Sequence, residues 1–205
     1  FLRLKGKQVM EIKNNKGNRK ERNMSLETYI INKKTLLKLI QYAQKISSFF
    51  NLRDTLAYLC DERKIMAYEY KGFARCIDSY EAYYKVSMEF LDMDISTQVF
   101  KSTWPIFTNT NDTPPTKYLK NASVKKSFVA NGAIIDGEVD GCILSRNVSI
   151  GKNAVVKNCI ILNGSKVCAG AHLENVIIDK DAHIEKKTEL IGEGEPLYVR
   201  EGDVV

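Results

Sequence analysis

The chain of 205 residues is 44% apolar and 27% charged, with a formal net charge of +6. These values are ordinary for a soluble globular protein, and the length allows one large domain or two small ones. No apolar run approaches the roughly 20 residues of a membrane-spanning helix, which excludes a membrane-embedded protein. The first residues lack a signal-peptide core and a starting Met, so we expect further protein upstream of residue 1.

The positive charge is concentrated at the beginning of the chain, where residues 1–40 hold 11 Lys/Arg and 3 Asp/Glu. Its densest part is the run from Lys13 to Arg22. This run contains no aromatic residue on which a base would stack. We therefore interpret it as a solvated loop and expect no nucleic-acid partner.

The five cysteines are odd in number, and no two have the Cys-x-x-Cys spacing of a zinc site. The pattern favours reduced thiols in a cytoplasmic protein. With only His172 and His183 as imidazole ligands, the sequence predicts no metal site in this chain.

The first hundred residues alternate between strand-like and helix-like patterns, which predicts an α+β region. In chain order the expected elements are a strand at Gln8–Ile12, a short β-branched run at Tyr29–Ile31, helices over Leu36–Ala43 and Leu52–Leu59, a strand-like run at Ile65–Tyr70 and a helix over Tyr80–Leu91. Three of the four prolines follow between Trp104 and Tyr118. Proline lacks an amide hydrogen and disfavours helix before it, so residues 101–118 are predicted to be an extended linker.

Residues 119–205 show a repeat instead of helical periodicity. Apolar clusters start every 15 to 17 residues, at Phe128, Ile143, Ile160 and Val176. Within this repeat an aliphatic residue is followed four positions later by alanine, in the pairs Ile150/Ala154, Val167/Ala171 and Ile178/Ala182. A six-residue step repeated three times per turn predicts a parallel β-helix, with Gly or Asn at its corners.

Several sequence blocks, in order, resemble the carboxy-terminal part of the glucose-1-phosphate adenylyltransferase (ADP-glucose pyrophosphorylase) family. They are Trp104–Thr108, Pro114–Tyr118, Ser127–Gly137, Val148–Gly151, Ala154–Cys159 and Leu173–Asp181. The resemblance implies an α+β remnant of a nucleotidyltransferase domain at 1–100, the linker, and a left-handed parallel β-helix at 119–205. It also implies a connection with ADP-glucose synthesis for glycogen.

The same resemblance exposes departures from the catalytic pattern. The glycine-rich ATP loop and the Glu-Lys-Pro-type segment of the family are absent from these 205 residues. Cys76 stands where catalytic subunits carry a metal-binding aspartate, and Asp78 follows two positions later. Mg²⁺ prefers hard oxygen ligands to thiols. The pattern therefore resembles the regulatory-type glycogen-biosynthesis subunit, with no catalytic residue in this chain and Mg²⁺ expected only in a catalytic partner.

A remnant of the sugar-phosphate pocket is implied at Ser25, Tyr29 and Asp78. Glu27 replaces the usual glycine of the family between the first two, and a carboxylate there is expected to repel a phosphate. Lys117, Lys120, Lys125 and Lys126 lie near the domain junction, where family members meet effectors; we interpret them as solvated lysines.

Two alternatives remain open at the level of sequence. One is a truncated catalytic adenylyltransferase in which Asp78 restores metal binding. The other is a hexapeptide acyltransferase that uses His172 or His183 as a general base, although their places in consecutive coils predict that both are exposed.

Hetero-oligomers with a catalytic subunit, or homo-oligomers, are the expected assemblies. Glu193–Pro196 and Arg200–Asp203 are predicted to cap the last coil, because a bare strand edge recruits other strands.

Overall fold

The computed structural model describes residues 1–13, 23–46 and 51–205. The basic run predicted at Lys13–Arg22 lies outside the described residues except for Lys13. The chain divides into two compact units, Phe1–Lys71 and Gly72–Val205. Among the described residues, no helix is long and apolar enough to cross a membrane.

The first unit contains a small antiparallel sheet. Strands β1 (Leu2–Lys5) and β2 (Gln8–Ile12) pair with each other, which confirms the strand predicted at Gln8–Ile12. On the other side of β2, the Val9 amide donates to Ile65 and the Ala67 amide donates to Lys7. The strand-like run at Ile65–Tyr70 thus contributes only an isolated bridge at Met66. Tyr29–Ile31 is not a strand, because no neighbouring segment among the described residues pairs with it.

Two predicted helices of this unit are confirmed as α1 (Lys33–Lys45) and α2 (Leu52–Leu59). The side chains of Asn32 and Asn51 cap them by accepting hydrogen bonds from amides of the first turn. The helices pack through Leu39, Leu56 and Leu59. This small core is lined by partly buried residues of both helices, of β2 and of the loops, including Ile12, Tyr29, Tyr42 and Ile65.

The second unit begins with helices α3 (Tyr80–Glu89) and α4 (Met93–Val99). Helix α3 confirms the prediction over Tyr80–Leu91. Residues 101–116 carry no helix or strand, as their prolines predict. The contacts nevertheless group α3 and α4 with the residues that follow them, so the division between compact units falls at Lys71 rather than near residue 100.

From residue 117 onward the chain forms a parallel β-solenoid of three five-stranded sheets, which confirms the predicted β-helix. The first sheet contains β3 (Lys117–Tyr118), β6 (Ile134–Ile135), β9 (Ser149–Ile150), β12 (Lys166–Val167) and β15 (His183–Ile184). The second contains β4 (Ser123–Lys125), β7 (Glu138–Asp140), β10 (Val155–Lys157), β13 (His172–Glu174) and β16 (Glu189–Ile191). The third contains β5 (Phe128–Val129), β8 (Ile143–Leu144), β11 (Ile160–Ile161), β14 (Val176–Ile178) and β17 (Leu197–Val199).

The pairing register gives the length of each coil. Phe128 pairs with Ile143, 15 residues later, whereas Ile143, Ile160 and Ile177 are spaced by 17. The last coil spans 21 residues, from Ile177 to Tyr198. The extra residues lie in the Glu193–Pro196 loop, which widens one corner of the last coil. Its role as a cap stays a prediction. The tail also adds a rung, because the His183 amide donates to Asp203 and the Glu185 amide donates to Val205.

The solenoid interior is apolar along its length. The predicted aliphatic and small positions are all buried, and none of Ile150, Ala154, Val167, Ala171, Ile178 and Ala182 exposes more than 2% of its surface. They join one continuous core with residues such as Val139, Ile161 and Leu173. Burial at this density stabilises the coil stack by roughly 25 cal/mol for each Å² of apolar surface removed from water.

Glycine and asparagine hold the corners, as predicted. Along one corner Gly132, Asn147, Gly164 and Asp181 follow one another, all with a positive φ. A Cβ atom on Gly164 would approach Asp181 Oδ1 to 2.1 Å, so the side chain of one coil fills the space left by glycine in the coil before it. Asn and Asp tolerate the left-handed conformation better than other non-glycine residues, which explains their alternation with glycine.

Candidate functional site

A compact group of polar side chains lies in the first unit between the residue 25–29 segment and α2. We call Ser25, Glu27, Tyr29, Arg53 and Asp54 the Tyr29 cluster. Arg53 Nη1 donates to Glu27 Oε1 at 2.8 Å, and Arg53 Nε donates to Asp54 Oδ1 at 3.4 Å. The structure thus brings together Ser25 and Tyr29, two of the three residues predicted for the sugar-phosphate pocket, and adds a cation that the sequence reasoning missed.

The hydroxyl of Tyr29 is enclosed within this cluster. It makes no hydrogen bond of good geometry among the described residues, although Ser25 lies beside it. Burial raises the pKa of Tyr29 above its usual value; the Ser25 hydroxyl opposes this shift and the Glu27 carboxylate adds to it. Tyr29 therefore remains a neutral hydrogen-bond donor at physiological pH, and a group that holds on to its proton is poorly suited to act as a base.

Glu27 adopts a conformation that normally favours glycine. Its φ is +53°, in the left-handed region, and its amide donates to Ser25 Oγ at 3.2 Å. The expectation that this carboxylate repels a phosphate stays a prediction. Glu27 is paired with Arg53, and that pairing is the main reason why the pKa of the guanidinium is raised. No local pattern signals this pair, because its members lie 26 residues apart.

The third predicted pocket residue, Asp78, belongs to the second unit. It is exposed, as is Cys76, in the segment that leads into α3. Arg75 anchors this segment: its guanidinium forms an ion pair with Glu89 near the end of α3, with Nη2 2.8 Å from Oε2, and lies over the ring of Phe73. Ser79 caps the helix by accepting from the Ala82 amide. Cys76 and Asp78 are therefore presented at the amino-terminal end of α3.

The described residues contain no group of three or more His, Cys, Asp or Glu side chains placed to hold a metal ion. Cys76 and Asp78 together supply one thiol and one carboxylate, a donor set that fits Mg²⁺ poorly. All five cysteines are free thiols. Two of them, Cys142 and Cys159, are stacked inside the solenoid, where burial raises the pKa of Cys159.

The two histidines are half-buried, so the prediction that both are exposed is wrong. His172 Nδ1 lies 3.5 Å from Glu189 Oε1, and His183 Nε2 lies 3.1 Å from Cys168 Sγ. Each ring lies along the solenoid wall against the side chain of a neighbouring coil, which reduces its exposure. The predicted lysines Lys117, Lys120, Lys125 and Lys126 are exposed around the first coil, as expected for solvated side chains.

Helix α3 lies on the outer face of the third sheet, a contact that the repeat pattern did not reveal. Tyr84 donates from its hydroxyl to the Asn158 carbonyl at 2.7 Å, and the Tyr80 ring stacks on that of Tyr198 with centroids 4.4 Å apart. Beneath them, Ile160 and Ile177 face outward from the sheet yet are only 1% and 2% exposed. Two isoleucines that face outward from the same sheet were the one signal in the sequence that another element covers this face.

Comparison with known proteins agrees with the solenoid of hexapeptide repeats. Residues 114–197 match the family described as GlmU-like, C-terminal hexapeptide. Over 179 residues, 87% of the chain, the sequence is 42% identical to the glycogen biosynthesis protein GlgD of Bacillus subtilis. The chain is a homologue of GlgD proteins. A second such protein, from Geobacillus stearothermophilus, is 42% identical over 67% of the chain.

More distant relatives bear an enzyme name. A glucose-1-phosphate adenylyltransferase of Clostridium perfringens is 28% identical over 72% of the chain. The aligned residues make up 52% of the Bacillus GlgD protein, 40% of the Geobacillus protein and 38% of this adenylyltransferase. The chain thus spans about half the length, or less, of the relatives that it matches. These relatives confirm the resemblance to the glucose-1-phosphate adenylyltransferase family.

Proposed function

We propose that this chain is part of a regulatory-type subunit that serves ADP-glucose synthesis in glycogen biosynthesis without catalysing the reaction itself. The observation that carries the proposal is Cys76, which lies in the segment that leads into α3. In the pattern of the catalytic relatives, this position holds a metal-binding aspartate. The higher identity to proteins named GlgD than to adenylyltransferases supports the same assignment.

The chemistry of nucleotidyl transfer explains why one substitution matters. In phosphoryl-type transfer, the metal ion stabilises the negative charge that develops on the phosphate oxygens. Most of the remaining rate enhancement comes from positioning the reacting groups. A thiol at residue 76 removes a hard oxygen ligand from that centre. Asp78 is exposed and sits two residues closer to the α3 cap, which gives its carboxylate a different position from the one the family pattern requires.

The proposed role is to bind a catalytic adenylyltransferase subunit and change its rate or substrate affinity. Mg²⁺ would then be held by the partner. A subunit of this kind needs a rigid frame more than a reactive site, and the continuous solenoid core supplies one. The reaction supported is ATP plus glucose 1-phosphate to ADP-glucose plus diphosphate.

The test is an assay of ADP-glucose formation by the purified intact gene product that contains this chain, alone and mixed with the catalytic adenylyltransferase of the same cell. We expect no turnover alone and a changed kcat or KM in the mixture. The variant Asp78→Asn should behave as the wild type in both assays. Robust turnover by the protein alone, abolished by Asp78→Asn, would contradict the proposal and establish the truncated catalytic alternative.

A further inference from the structure

Cys168 and His183 form a thiol–imidazole pair on the outer wall of the solenoid. Cys168 directly follows β12, and His183 is the first residue of β15, the strand that pairs with β12 in the next coil. The Sγ atom of Cys168 lies 3.1 Å from Nε2 of His183, which is hydrogen-bond distance. Val167, between Lys166 and Cys168, points into the core. The thiol and the imidazole therefore lie on the outside of the coil, where both are half-buried and partly open to solvent.

The backbone on both sides fixes this pair in place. The Cys168 amide donates to the Ile184 carbonyl, which ties Cys168 to the coil that carries His183. His183 is held in turn by the tail, because its amide donates to Asp203 and its carbonyl accepts from Val205. Side chains on elements that are hydrogen-bonded in this way keep their relative position better than side chains on loops.

The other four cysteines are in different surroundings. Cys142 and Cys159 are fully buried in the solenoid, and the buried Cys60 thiol is directed at backbone carbonyl oxygens. Cys76 is exposed, and the contacts of the two histidines are with other side chains. Among the described residues, Cys168 is therefore the one cysteine that combines solvent access with a contact to an imidazole.

The neighbouring imidazole gives this thiol the means to react. Thiol–disulfide exchange begins with attack by a thiolate sulfur, so a thiol has to lose its proton first. A neutral histidine that carries its proton on Nδ1 has a free lone pair on Nε2, the atom that faces Cys168. A base within hydrogen-bond reach of the thiol is the arrangement that activates nucleophilic cysteines.

Lysines outnumber carboxylates on the strands and turns next to the pair. The turn after Cys168 lies between two turns that carry lysines, with backbone hydrogen bonds at Lys152 and Lys187. A further lysine is in register with His183 in the adjacent coil. The exposed charges are Lys152, Lys166, Lys186 and Lys187, against Glu185 and Asp203. A positive surface raises the local concentration of anions, so a negatively charged reagent should reach the thiol more readily than a positively charged one.

We propose that Cys168 is a site of reversible S-thiolation, at which His183 acts as the base and a negatively charged low-molecular-weight disulfide is the reagent. His183 Nε2 accepts the thiol proton, and the Cys168 sulfur attacks one sulfur of the disulfide. A new S–S bond joins Cys168 to that half of the reagent, while the original S–S bond breaks. The other half leaves as a thiolate and takes up the proton from His183, so Cys168 is oxidised and the leaving thiol is reduced. None of these steps depends on the proposed function.

The experiment measures mixed-disulfide formation with oxidised glutathione at each cysteine of the intact gene product, by peptide mapping and mass spectrometry. Cys76 is the internal reference, because it is exposed and has no imidazole contact among the described residues. His183→Gln removes the base, and His172→Gln, in the preceding coil, is the matched control. Cys142 and Cys159 should stay unmodified in every variant that remains folded, because both are fully buried.

At pH 7 Cys168 should react at least about tenfold faster than Cys76, although it is less exposed, since a positioned base contributes about 10²–10⁴-fold. His183→Gln should remove that advantage without changing the rate at Cys76, and His172→Gln should match the wild type. At pH 9 hydroxide supplies the thiolate, so the gap between the wild type and His183→Gln should narrow. If His183 only covers the thiol, His183→Gln would instead react faster than the wild type. That result, or equal rates for the two proteins at pH 7, would overturn the proposal.

The charge of the reagent is tested with cystamine, a positively charged disulfide, in the same assay at low and high ionic strength. Relative to Cys76, Cys168 should react faster with oxidised glutathione than with cystamine at low salt. The preference should fall at high salt, because salt screens the lysines. Dithiothreitol should restore the free thiol. A preference for cystamine, or one that does not change with salt, would contradict a negatively charged reagent.

Discussion

The solenoid and the first compact unit differ in how completely they bury their apolar residues. The solenoid encloses a continuous row of side chains with almost no exposed surface, from Ile135 to Ile184. Among the described residues of the first unit, Leu39, Leu56 and Leu59 form one small buried cluster, while Ile30 and Tyr68 are almost fully exposed. Each strand of the solenoid pairs with the equivalent strand one coil away, whereas the segments that pack together in the first unit are not repeats of one another. The solenoid is therefore the stable frame, and the departures from the catalytic pattern, at Glu27 and Cys76, lie outside it.

The largest expected effect is on the solenoid core. Ile161→Ala should lower the free energy of unfolding by about 3 kcal/mol, because it leaves a cavity among fully buried neighbours. Ile134→Ala, on the outer face of the same solenoid and 43% exposed, is the matched control and should change stability by less than about 0.5 kcal/mol. Urea denaturation of the whole chain, followed by circular dichroism, measures both. Equal losses from the two variants would break the distinction between the solenoid core and its surface.

A second expected effect comes from a close approach between coils. A Cβ atom on Gly137 would lie 2.5 Å from the Ala154 carbonyl oxygen and 2.8 Å from that of Gly151. Since both are backbone atoms, Gly137→Ala should destabilise the solenoid by roughly 1–3 kcal/mol. Gly194→Ala tests strain without crowding, because its φ is +82° and nothing lies within 4 Å; we expect about 1 kcal/mol. Thermal melts of both variants measure which one is destabilised more. A larger loss of stability in Gly194→Ala than in Gly137→Ala would contradict the prediction.

A smaller effect is expected where α3 meets the third sheet. Tyr84→Phe removes the hydrogen bond to the Asn158 carbonyl and should cost about 1 kcal/mol. Burial raises the pKa of Tyr84 to about 12, so the hydroxyl is a donor throughout the neutral range. Tyr83→Phe is the control, since no hydrogen bond of its hydroxyl is present among the described residues. If both variants unfold at the same urea concentration as the wild type, the contact does not stabilise α3.

The smallest expected effect depends on pH. The Tyr198 hydroxyl donates to Asp179 Oδ2 at 2.6 Å, and this bond is the main cause that lowers the pKa of Asp179. A lowered carboxyl pKa stabilises the fold above the usual carboxyl range and loses that contribution as pH falls through the folded-state value. Tyr198→Phe should therefore be less stable than the wild type at pH 7, and the difference should shrink in acid. Melts from pH 7 to pH 3 measure it, with Tyr118→Phe as an exposed control; a difference that grows in acid would contradict the assignment.

The periodic repeat allowed the solenoid to be predicted from the sequence. Pairs such as Ile150/Ala154 recur in successive coils, and each recurrence tests the same interpretation of which residues face inward. Helices α1 and α2 were equally accessible, because apolar spacing and the asparagine caps are local signals, whereas the short helix α4 was not predicted. The strand-like run after Ile65 was misread: its alternation is that of a strand, but only Met66 bridges to the neighbouring β2.

The candidate site was less predictable, for a physical reason. Ser25 and Tyr29 were identified by resemblance, yet nothing local in sequence links Glu27 to Arg53. The left-handed backbone at Glu27 was equally hidden, since glutamate is rarely found there. The seating of α3 on the solenoid also joins residues more than 70 positions apart, such as Tyr84 and Asn158. Contacts between residues so far apart in sequence depend on the tertiary fold and produce no periodic pattern in the sequence.

The most direct test of the contrast between the two units is amide hydrogen exchange along the whole chain at neutral pH. We predict that amides of β8, β11 and β14 exchange only through global unfolding of the solenoid, and that α1 and α2 exchange through smaller, local openings at least tenfold faster. Such a result would establish the solenoid as the self-supporting frame. Slower exchange in α1 than in β11, or fast exchange throughout the three sheets, would contradict the account.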